Sequence, residues 1–160
     1  MLKRLSIILF VLMNVGCDQL SKDLVRKHVE PLDYIQVVND NLILTNVENT
    51  GAMLGFGQGF PPILKTIFLK GLPLIVLLIL FFRMIQNTNL NRWMVLAFAF
   101  VIGGGMGNLI DRIAYGSVTD FFQIKLGLFK TGIFNMADVS VTIGVFLLLF
   151  LTLRYRNLSI

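Results

Sequence analysis

Four long apolar segments alternate with more polar connections along the chain. The segments lie at about residues 5–26, 64–82, 93–110 and 137–153. A helix needs about 20 mainly apolar residues to cross the roughly 30 Å hydrocarbon core of a bilayer. The pattern therefore predicts an all-α membrane protein of one integral membrane domain, residues 1–160, with four transmembrane helices and two longer outer segments at about 27–63 and 111–136.

The first outer segment contains two short runs of alternating apolar residues. YIQVV and LILTNV flank a turn at Asn39–Asn41, and a glycine-rich stretch, NTGAMLGFGQGFPP, follows them. The runs predict a β-hairpin, and the clustered glycine and proline predict an irregular loop. Because a lone hairpin is marginally stable, we expect a small extracytoplasmic cradle that rests on the membrane or on the helices. In the second outer segment, SVTDFFQI is compatible with a brief strand.

The two ends of the chain and the short connection differ in charge from the two longer connections. The N-terminus, the short connection between the second and third segments, and the tail have no acidic residue and contain Lys3, Arg4, Arg83, Arg92, Arg154 and Arg156. All nine Asp and Glu residues lie in or beside the two longer connections. Because connections rich in lysine and arginine stay in the cytoplasm, we expect both termini to be cytoplasmic and both outer segments to face outward.

The composition supports a lipid environment and excludes several kinds of site. Hydrophobic residues make up 56% of the chain and charged residues 14%, whereas soluble domains have about 25% charged residues. The net charge of +5 does not indicate a nucleic-acid partner, because the basic residues form no stripe interleaved with aromatics. One cysteine and one histidine, His28, exclude an intrachain disulfide and a cysteine- or histidine-rich metal site, and they argue against a Ser-His-Asp triad.

The N-terminus has the outline of a bacterial lipoprotein signal peptide. Basic residues, an apolar run and a small residue precede Cys17, before which such a peptide would be cut. The usual leucine three residues before the cysteine is here Asn14, and the residues after Cys17 continue a helix that three further spans follow. We therefore interpret Cys17 as a small apolar residue of the first span.

Two apolar segments contain polar residues at helical spacing. Asn14, Asp18 and Lys22 recur at intervals of four on the first segment, and Asn108 and Arg112 do so on the third, after GGGMG. Residues four apart share one face of a helix, and ionisable groups at membrane depth usually face the bundle interior or a cavity. Both sets are functional candidates. The alternatives are an ion pair whose lysine snorkels to the interface, and a helix end with small residues for packing.

Two further acidic residues, Asp120 in SVTDFF and Asp138 in FNMAD, have apolar neighbours. Asp138 opens the fourth span, where it can cap the helix by accepting backbone N–H bonds, and Asp120 can be a turn residue. Alternatively, the two form a catalytic pair. Carboxyl groups that share a desolvated site cannot both ionise readily, so one can act as general base on water while the other donates a proton. From spacing alone, both interpretations stay open.

Five blocks, in this order, resemble lipoprotein signal peptidase (signal peptidase II), the bacterial aspartyl intramembrane protease family. The blocks are DQLSK at 18–22, NTGAMLGF at 49–56, GGGMGNLIDR at 103–112, GSVTDF at 116–121 and FNMADVSVTIG at 134–144. By this resemblance the catalytic dyad maps onto Asp120 and Asp138. The substrate-binding and supporting positions map onto Asp18, Lys22, Asn49, Gly51, Asn108, Arg112, Asn135 and Ala137.

Physical roles can be suggested for the mapped residues. Asn108 and Arg112 offer N–H donors for substrate carbonyls or the lipid-linked region, and Asn135 is placed to orient the dyad. We expect Asp18 and Lys22 to fix the polar interior of the bundle rather than to take part in chemistry.

The glycine-rich loop combines an expected feature with one departure from the family pattern. Gly51 would let backbone approach the substrate closely. Met53 and Leu54 stand where the family commonly has a second small residue, which leaves the shape of the outer loop and the substrate preference open.

The resemblance implies an aspartic endopeptidase, a multi-pass hydrolase of the bacterial inner membrane. It would cleave prolipoproteins before their diacylglyceryl-modified cysteine, at an active site near the outer, periplasmic face. It would need no metal or organic cofactor, act as a monomer among membrane lipids, and be inhibited by a globomycin-type cyclic peptide. The rival classes are a transporter or channel, which usually shows internal symmetry, and a non-enzymatic assembly factor. A presenilin-type protease is disfavoured because its G-x-G-D motif is absent.

Overall fold

Four long helices make up most of the described chain. The computed structural model describes residues 2–87 and 90–154, and its helices are α1 (Leu2–His28), α2 (Pro62–Gln86), α3 (Arg92–Ala114) and α4 (Met136–Arg154). All four are long and apolar enough to cross a membrane, which confirms the predicted fold class. Each helix continues past its predicted span, because backbone hydrogen bonding persists beyond the last apolar residue. Arg156 of the predicted basic tail lies outside the described residues.

A π-helical segment, Thr66–Gly71, interrupts α2. Pro73 follows it, and a proline inside a helix lacks an N–H and crowds the carbonyl group four residues earlier, here that of Leu69. A π-turn widens the backbone at such a point. Pro73 therefore accounts for a π-segment at this point of the helix.

An apolar core joins the four helices at the end of the bundle where α1 begins and α4 ends. Its buried members include Ile7, Val11, Met84, Met94, Phe98, Ile102 and Leu151. α3 and α4 lie close together because two positions lack side chains. A Cβ at Gly104 would meet the carbonyl oxygen of Ala137, and one at Gly144 would meet the side chain of Val101. Small residues permit such close contact between membrane helices.

An antiparallel sheet covers the opposite end of the bundle. Among the described residues it has four strands, β1 (Ile35–Val38), β2 (Leu42–Asn49), β3 (Val118–Leu126) and β4 (Phe129–Lys130), in the spatial order β1-β2-β3-β4. The predicted hairpin is confirmed, with Val38 of β1 opposite Leu42 of β2. The sheet is larger than predicted, because the segment considered as a brief strand forms β3 and pairs with β2.

The sheet rests on the last turns of α1. A small apolar cluster joins Val25, Val29, Leu44, Phe121 and Phe122. Asn46 Nδ2 donates to the carbonyl oxygen of Val29 at 2.8 Å, which satisfies a backbone acceptor at the C-terminal end of the helix. Of the two supports expected for the hairpin, the helix bundle is therefore present.

Candidate active site

Asp120 and Asp138 lie on different elements that a backbone bridge joins. Asp120 is in β3, opposite Val47 of β2, and Asp138 is in the first turn of α4. Phe134 exchanges two backbone hydrogen bonds with Phe122 of β3, each 2.8 Å long. Because α4 begins shortly after Phe134, this bridge holds the start of the helix against the strand. Asp120 is a strand residue, so its interpretation as a turn residue is wrong.

Asn135 and Asp138 close the N-terminus of α4 by reciprocal hydrogen bonds. The N–H of Asp138 donates to Asn135 Oδ1 at 2.9 Å, and the N–H of Asn135 donates to Asp138 Oδ2 at 3.2 Å. This arrangement is a capping box, which satisfies N–H groups that the helix start leaves without intrahelical partners. The capping role considered for Asp138 is therefore present.

Asn135 also connects the two carboxyl groups. Its Nδ2 donates to Asp120 Oδ1 at 2.6 Å, so the side chain that caps α4 also holds Asp120. Asn49 Nδ2 donates to Asp120 Oδ2 at 3.0 Å. Each oxygen of Asp120 thus accepts an amide N–H, which fixes the plane of this carboxyl group.

Asn108 and Arg112 reach the same region from α3. Asn108 Nδ2 donates to Asp138 Oδ1 at 2.8 Å. Arg112 Nη2 donates to the backbone carbonyl of Gly51 at 2.9 Å, and Arg112 Nε is buried without a hydrogen-bond partner among the described residues. Asn108 therefore contacts a residue of the expected dyad, whereas Arg112 holds the glycine-rich loop.

Gly51 lies where the glycine-rich loop folds tightly onto itself. A Cβ there would come within 2.6 Å of the Phe56 carbonyl oxygen and 2.7 Å of Gly55. The loop's own backbone fills this space, so a glycine is required for packing, whatever its role toward substrate. Met53 and Leu54 project from the loop, 83% and 82% exposed, and Leu54 has a left-handed φ of 56°.

Asp18 and Lys22 belong to a buried ionic network behind the dyad. Lys22 Nζ lies 2.7 Å from Asp18 Oδ2 and 3.0 Å from Asp111 Oδ2. Arg26 Nη2 lies 3.1 Å from the same oxygen of Asp111, so two acids balance two bases. Asp18 Oδ1 accepts the N–H of Ala137 at 2.8 Å, which ties α1 to the start of α4. Lys22 is 0% exposed, so the alternative in which it snorkels to the interface is wrong.

Sequence reasoning missed Asp111 and Arg26 as members of this network. The spacing did contain a signal for Arg26, which continues the interval of four through Asp18 and Lys22. Asp111 also had a signal, because it lies three residues after Asn108, and residues three apart are neighbours on a helix surface.

A cavity of about 520 Å³ has both aspartates in its wall. Its polar wall includes Asn49, Asn108, Arg112, Asp120 and Asp138. Its apolar wall includes Met53, Leu54, Ile133, Val139, Val141 and Ile143. The other predicted site residues lie behind this wall. Lys22 contacts Asn108, Gly51 contacts Arg112 and Asn135 contacts Asp120, whereas Asp18 and Ala137 are hydrogen-bonded to each other. A mainly apolar cavity with a few convergent polar groups is the usual form of a ligand site.

Asp120 lies in an environment that favours its protonated form. Burial raises the pKa of Asp120 from 3.8 to about 6, and the negative charge of Asp138 acts in the same direction. Hydrogen bonds from Asn49 and Asn135 and the charge of Lys22 lower this pKa without cancelling the effect of burial. A carboxyl group with a pKa near 6 can exchange a proton close to neutral pH, as general acid–base chemistry requires.

The chain matches known proteins along most of its length. A family model described as signal peptidase (SPase) II matches residues 9–154. The chain is 34% identical over 131 residues to the lipoprotein signal peptidase of Syntrophus aciditrophicus, covering 82% of this chain and 81% of that relative. It is 33% identical over 157 residues to the lipoprotein signal peptidase of Borrelia turicatae, covering 94% and 91%. A bacterial membrane enzyme solved by the in meso method at 2.3 Å resolution superposes with a TM-score of 0.83 at 29% identity, covering 97% of this chain and 93% of that one.

Proposed function

The chain belongs to the signal peptidase II family, and from this premise we propose that Asp120 and Asp138 form its catalytic dyad. The chain is a protease that removes signal peptides from prolipoproteins, as its family membership establishes. We infer further that it cuts before the diacylglyceryl-modified cysteine of the substrate, with the two aspartates activating water.

The observation that carries this proposal is the link through Asn135. Its side chain donates to Asp120 and its backbone N–H donates to Asp138, while both carboxyl groups line one cavity. Two carboxyl groups held together beside such a cavity are sufficient for peptide hydrolysis without a serine, a cysteine or a metal.

The proposed reaction divides acid and base work between the two groups. One carboxylate takes a proton from water as the water attacks the scissile carbonyl, and the other group, protonated, gives its proton to the carbonyl oxygen. The raised pKa of Asp120, about 6, supports a pair that holds one proton near neutral pH. No metal or organic cofactor takes part in this scheme.

The cavity wall supports a lipid-modified peptide as the substrate. Val139, Val141 and Ile143 extend its apolar side along α4, where acyl chains would replace contacts with membrane lipids. Asn108 and Arg112 bring N–H donors to the polar side, and we propose that these donors position substrate carbonyls or the lipid-linked region. A globomycin-type cyclic peptide is expected to compete for this cavity.

The four apolar helices and the family indicate a bacterial inner-membrane protein. We propose that both termini are cytoplasmic, because the N-terminus, the tail and the α2–α3 connection contain basic residues and no acidic residue. In this orientation the sheet and the cavity lie at the outer, periplasmic face. We also propose that the protein acts as a monomer, since one chain supplies both aspartates.

The test uses purified protein and a diacylglyceryl-modified prolipoprotein substrate. Asp120→Asn and Asp138→Asn each keep the size of the side chain, and each should reduce turnover by on the order of 10³-fold or more. Asp23→Asn is the matched control, because Asp23 is an exposed acid paired with Lys27 on the surface, and it should keep turnover. Undiminished cleavage by either dyad variant would rule out the proposed mechanism.

A further inference from the structure

Lys22 is part of the buried ionic network, yet one of its contacts leads to the dyad. Its ammonium nitrogen lies 2.7 Å from Asp18, 3.0 Å from Asp111 and 2.9 Å from Asn108 Oδ1. An ammonium group has three N–H donors and no acceptor. All of its donors are therefore used, and one of them is given to a neutral side chain on α3.

That contact decides the orientation of the Asn108 amide. Because Lys22 cannot accept a hydrogen bond, the Asn108 atom that faces it must be the carbonyl oxygen. The same oxygen accepts from Asn135 Nδ2 at 3.1 Å, which fills its acceptor positions. The amide nitrogen therefore faces the other way, where it donates to Asp138 Oδ1 at 2.8 Å.

The orientation of the Asn135 amide is set from the opposite end. The backbone N–H of Asp138 donates to Asn135 Oδ1 at 2.9 Å, so Nδ2 of Asn135 faces Asn108 and Asp120. The ammonium group of Lys22 on α1 and the backbone N–H of Asp138 at the start of α4 thus fix the orientations of the two amides between them.

The two carboxyl groups receive unequal support for a negative charge. Asp138 accepts N–H groups from Asn108 and Asn135, and it lies in the first turn of α4, where the helix dipole favours an anion. Asp120 also accepts two amide N–H groups, but it lies on a strand, which has no comparable dipole. Asp120 is also only 5% exposed, so it is the better place for a proton.

We propose that Lys22 is a positioning residue that, through Asn108, directs an N–H group at Asp138, so that Asp138 is the base and Asp120 holds the proton. This inference rests on the proposed dyad and adds the division of roles between its members. A second cation that interacts with the dyad is Arg112 on α3. It attracts both carboxyl groups, so we assign the asymmetry to the Asn108 contact and the helix terminus.

In this assignment Asp138 removes a proton from water as the water oxygen bonds to the scissile carbonyl carbon. Asp120 gives its proton to the carbonyl oxygen, and a gem-diol forms. Asp138 then passes its proton to the leaving nitrogen as the C–N bond breaks. Asp120 recovers a proton from one hydroxyl group as the new carboxyl group forms, so each cycle consumes one water and restores both aspartates.

The first test removes each cation of the ionic network in turn. Lys22→Met removes the donor to Asn108, whereas Arg26→Met removes the second cation beside Asp111 and the donor to Thr119, and it leaves the Asn108 contact intact. Neither residue lines the cavity. We expect Lys22→Met to lower kcat by on the order of 10- to 100-fold, with KM within about threefold of the wild-type value. Arg26→Met should keep kcat within about threefold.

Two more variants guard against misfolding and test the chemistry of the contact. Lys22→Met alone leaves Asp18 without its cation, so the double variant Lys22→Met/Asp18→Asn removes one charge of each sign and should be equally slow. Lys22→Arg should recover most of kcat, because a guanidinium also donates and cannot accept.

The pH profile of kcat/KM separates positioning from a purely structural role. The charge of Lys22 lowers the pKa of Asp120. Its removal should therefore move the alkaline limb, which follows the proton on Asp120, to higher pH, and Arg26→Met should leave this limb in place.

Three results would overturn the inference. The positioning role is ruled out if folded Lys22→Met, or the double variant, retains the wild-type kcat. It is also ruled out if Arg26→Met loses as much kcat as Lys22→Met at equal thermal stability. An alkaline limb that does not move removes the assignment of the proton to Asp120. Failure of the dyad itself is distinguishable, because it shows as turnover by Asp120→Asn or Asp138→Asn.

Discussion

Replacing Asp120 by asparagine should change how the stability of the protein depends on pH. Burial raises the pKa of Asp120 from 3.8 to about 6 in the folded protein, whereas the unfolded chain has the ordinary value. Asp120→Asn keeps the size of the side chain and cannot ionise, so it removes this single titration and leaves the others in place.

The sign of the effect follows from which state binds the proton more tightly. Between about pH 4 and pH 6 the folded protein keeps a proton on Asp120 that the unfolded chain has lost, so stability falls as pH rises through this window. The difference between 3.8 and about 6 is roughly two pKa units. At about 1.4 kcal/mol per unit, roughly 3 kcal/mol is present below pH 4 and lost above pH 6.

The assay compares the free energy of unfolding of the wild-type chain and Asp120→Asn in mixed micelles over a series of pH values. Groups common to both proteins cancel in the difference. The difference in favour of the variant should grow by about 3 kcal/mol between about pH 4 and pH 6 and then stay level. The hydrogen bond that the new amide cannot accept adds an offset without changing the slope. A difference that is flat across the window, or that grows toward acid, would refute the reasoning.

Three further predictions concern packing, capping and the cavity rim. Gly107→Ala should lower the free energy of unfolding by about 1–3 kcal/mol, because its Cβ would meet the Asp18 carboxylate. Gly16 has open space around it, so Gly16→Ala should be neutral or slightly stabilising. Equal effects of the two substitutions would contradict this. Asn46→Leu should cost about 1–3 kcal/mol by leaving the end of α1 with an unpaired carbonyl, and faster hydrogen exchange confined to that turn would identify the cause. Leu54→Ala should raise KM a few-fold with kcat unchanged, because Leu54 lines the cavity; a fall in kcat alone would be the contrary result.

The helices were predictable from the sequence and the full sheet was not. A lipid environment requires about 20 consecutive apolar residues per span, so the segments are visible without knowledge of their packing. β3 pairs with β2 across two intervening helices, and such non-local pairing leaves no local pattern. The first four residues of β3 are all buried, so the strand lacks the alternation by which a half-buried strand is recognised.

Spacing along the chain identified the candidate aspartates without choosing between their roles. The family resemblance made that choice, because the contacts that join Asp120 to Asp138 depend on tertiary structure. Asn135 reaches both carboxyl groups only because Phe134 pairs with β3. The ionic network was partly visible as residues four apart on α1, since that relation is local, but its partner Asp111 comes from another helix.

The capping and catalytic interpretations of Asp138 are compatible, because its two oxygens have different partners. Oδ2 accepts the N–H of Asn135 and completes the cap of α4, while Oδ1 accepts from Asn108 in the cavity wall. Replacement by alanine would remove both functions and cost about 1 kcal/mol in lost capping, so an inactive alanine variant would not distinguish a lost base from a frayed helix. Asparagine retains an oxygen for the cap. If Asp138→Asn keeps the first amides of α4 protected from hydrogen exchange and still fails to turn over, the negative charge itself is what the reaction requires.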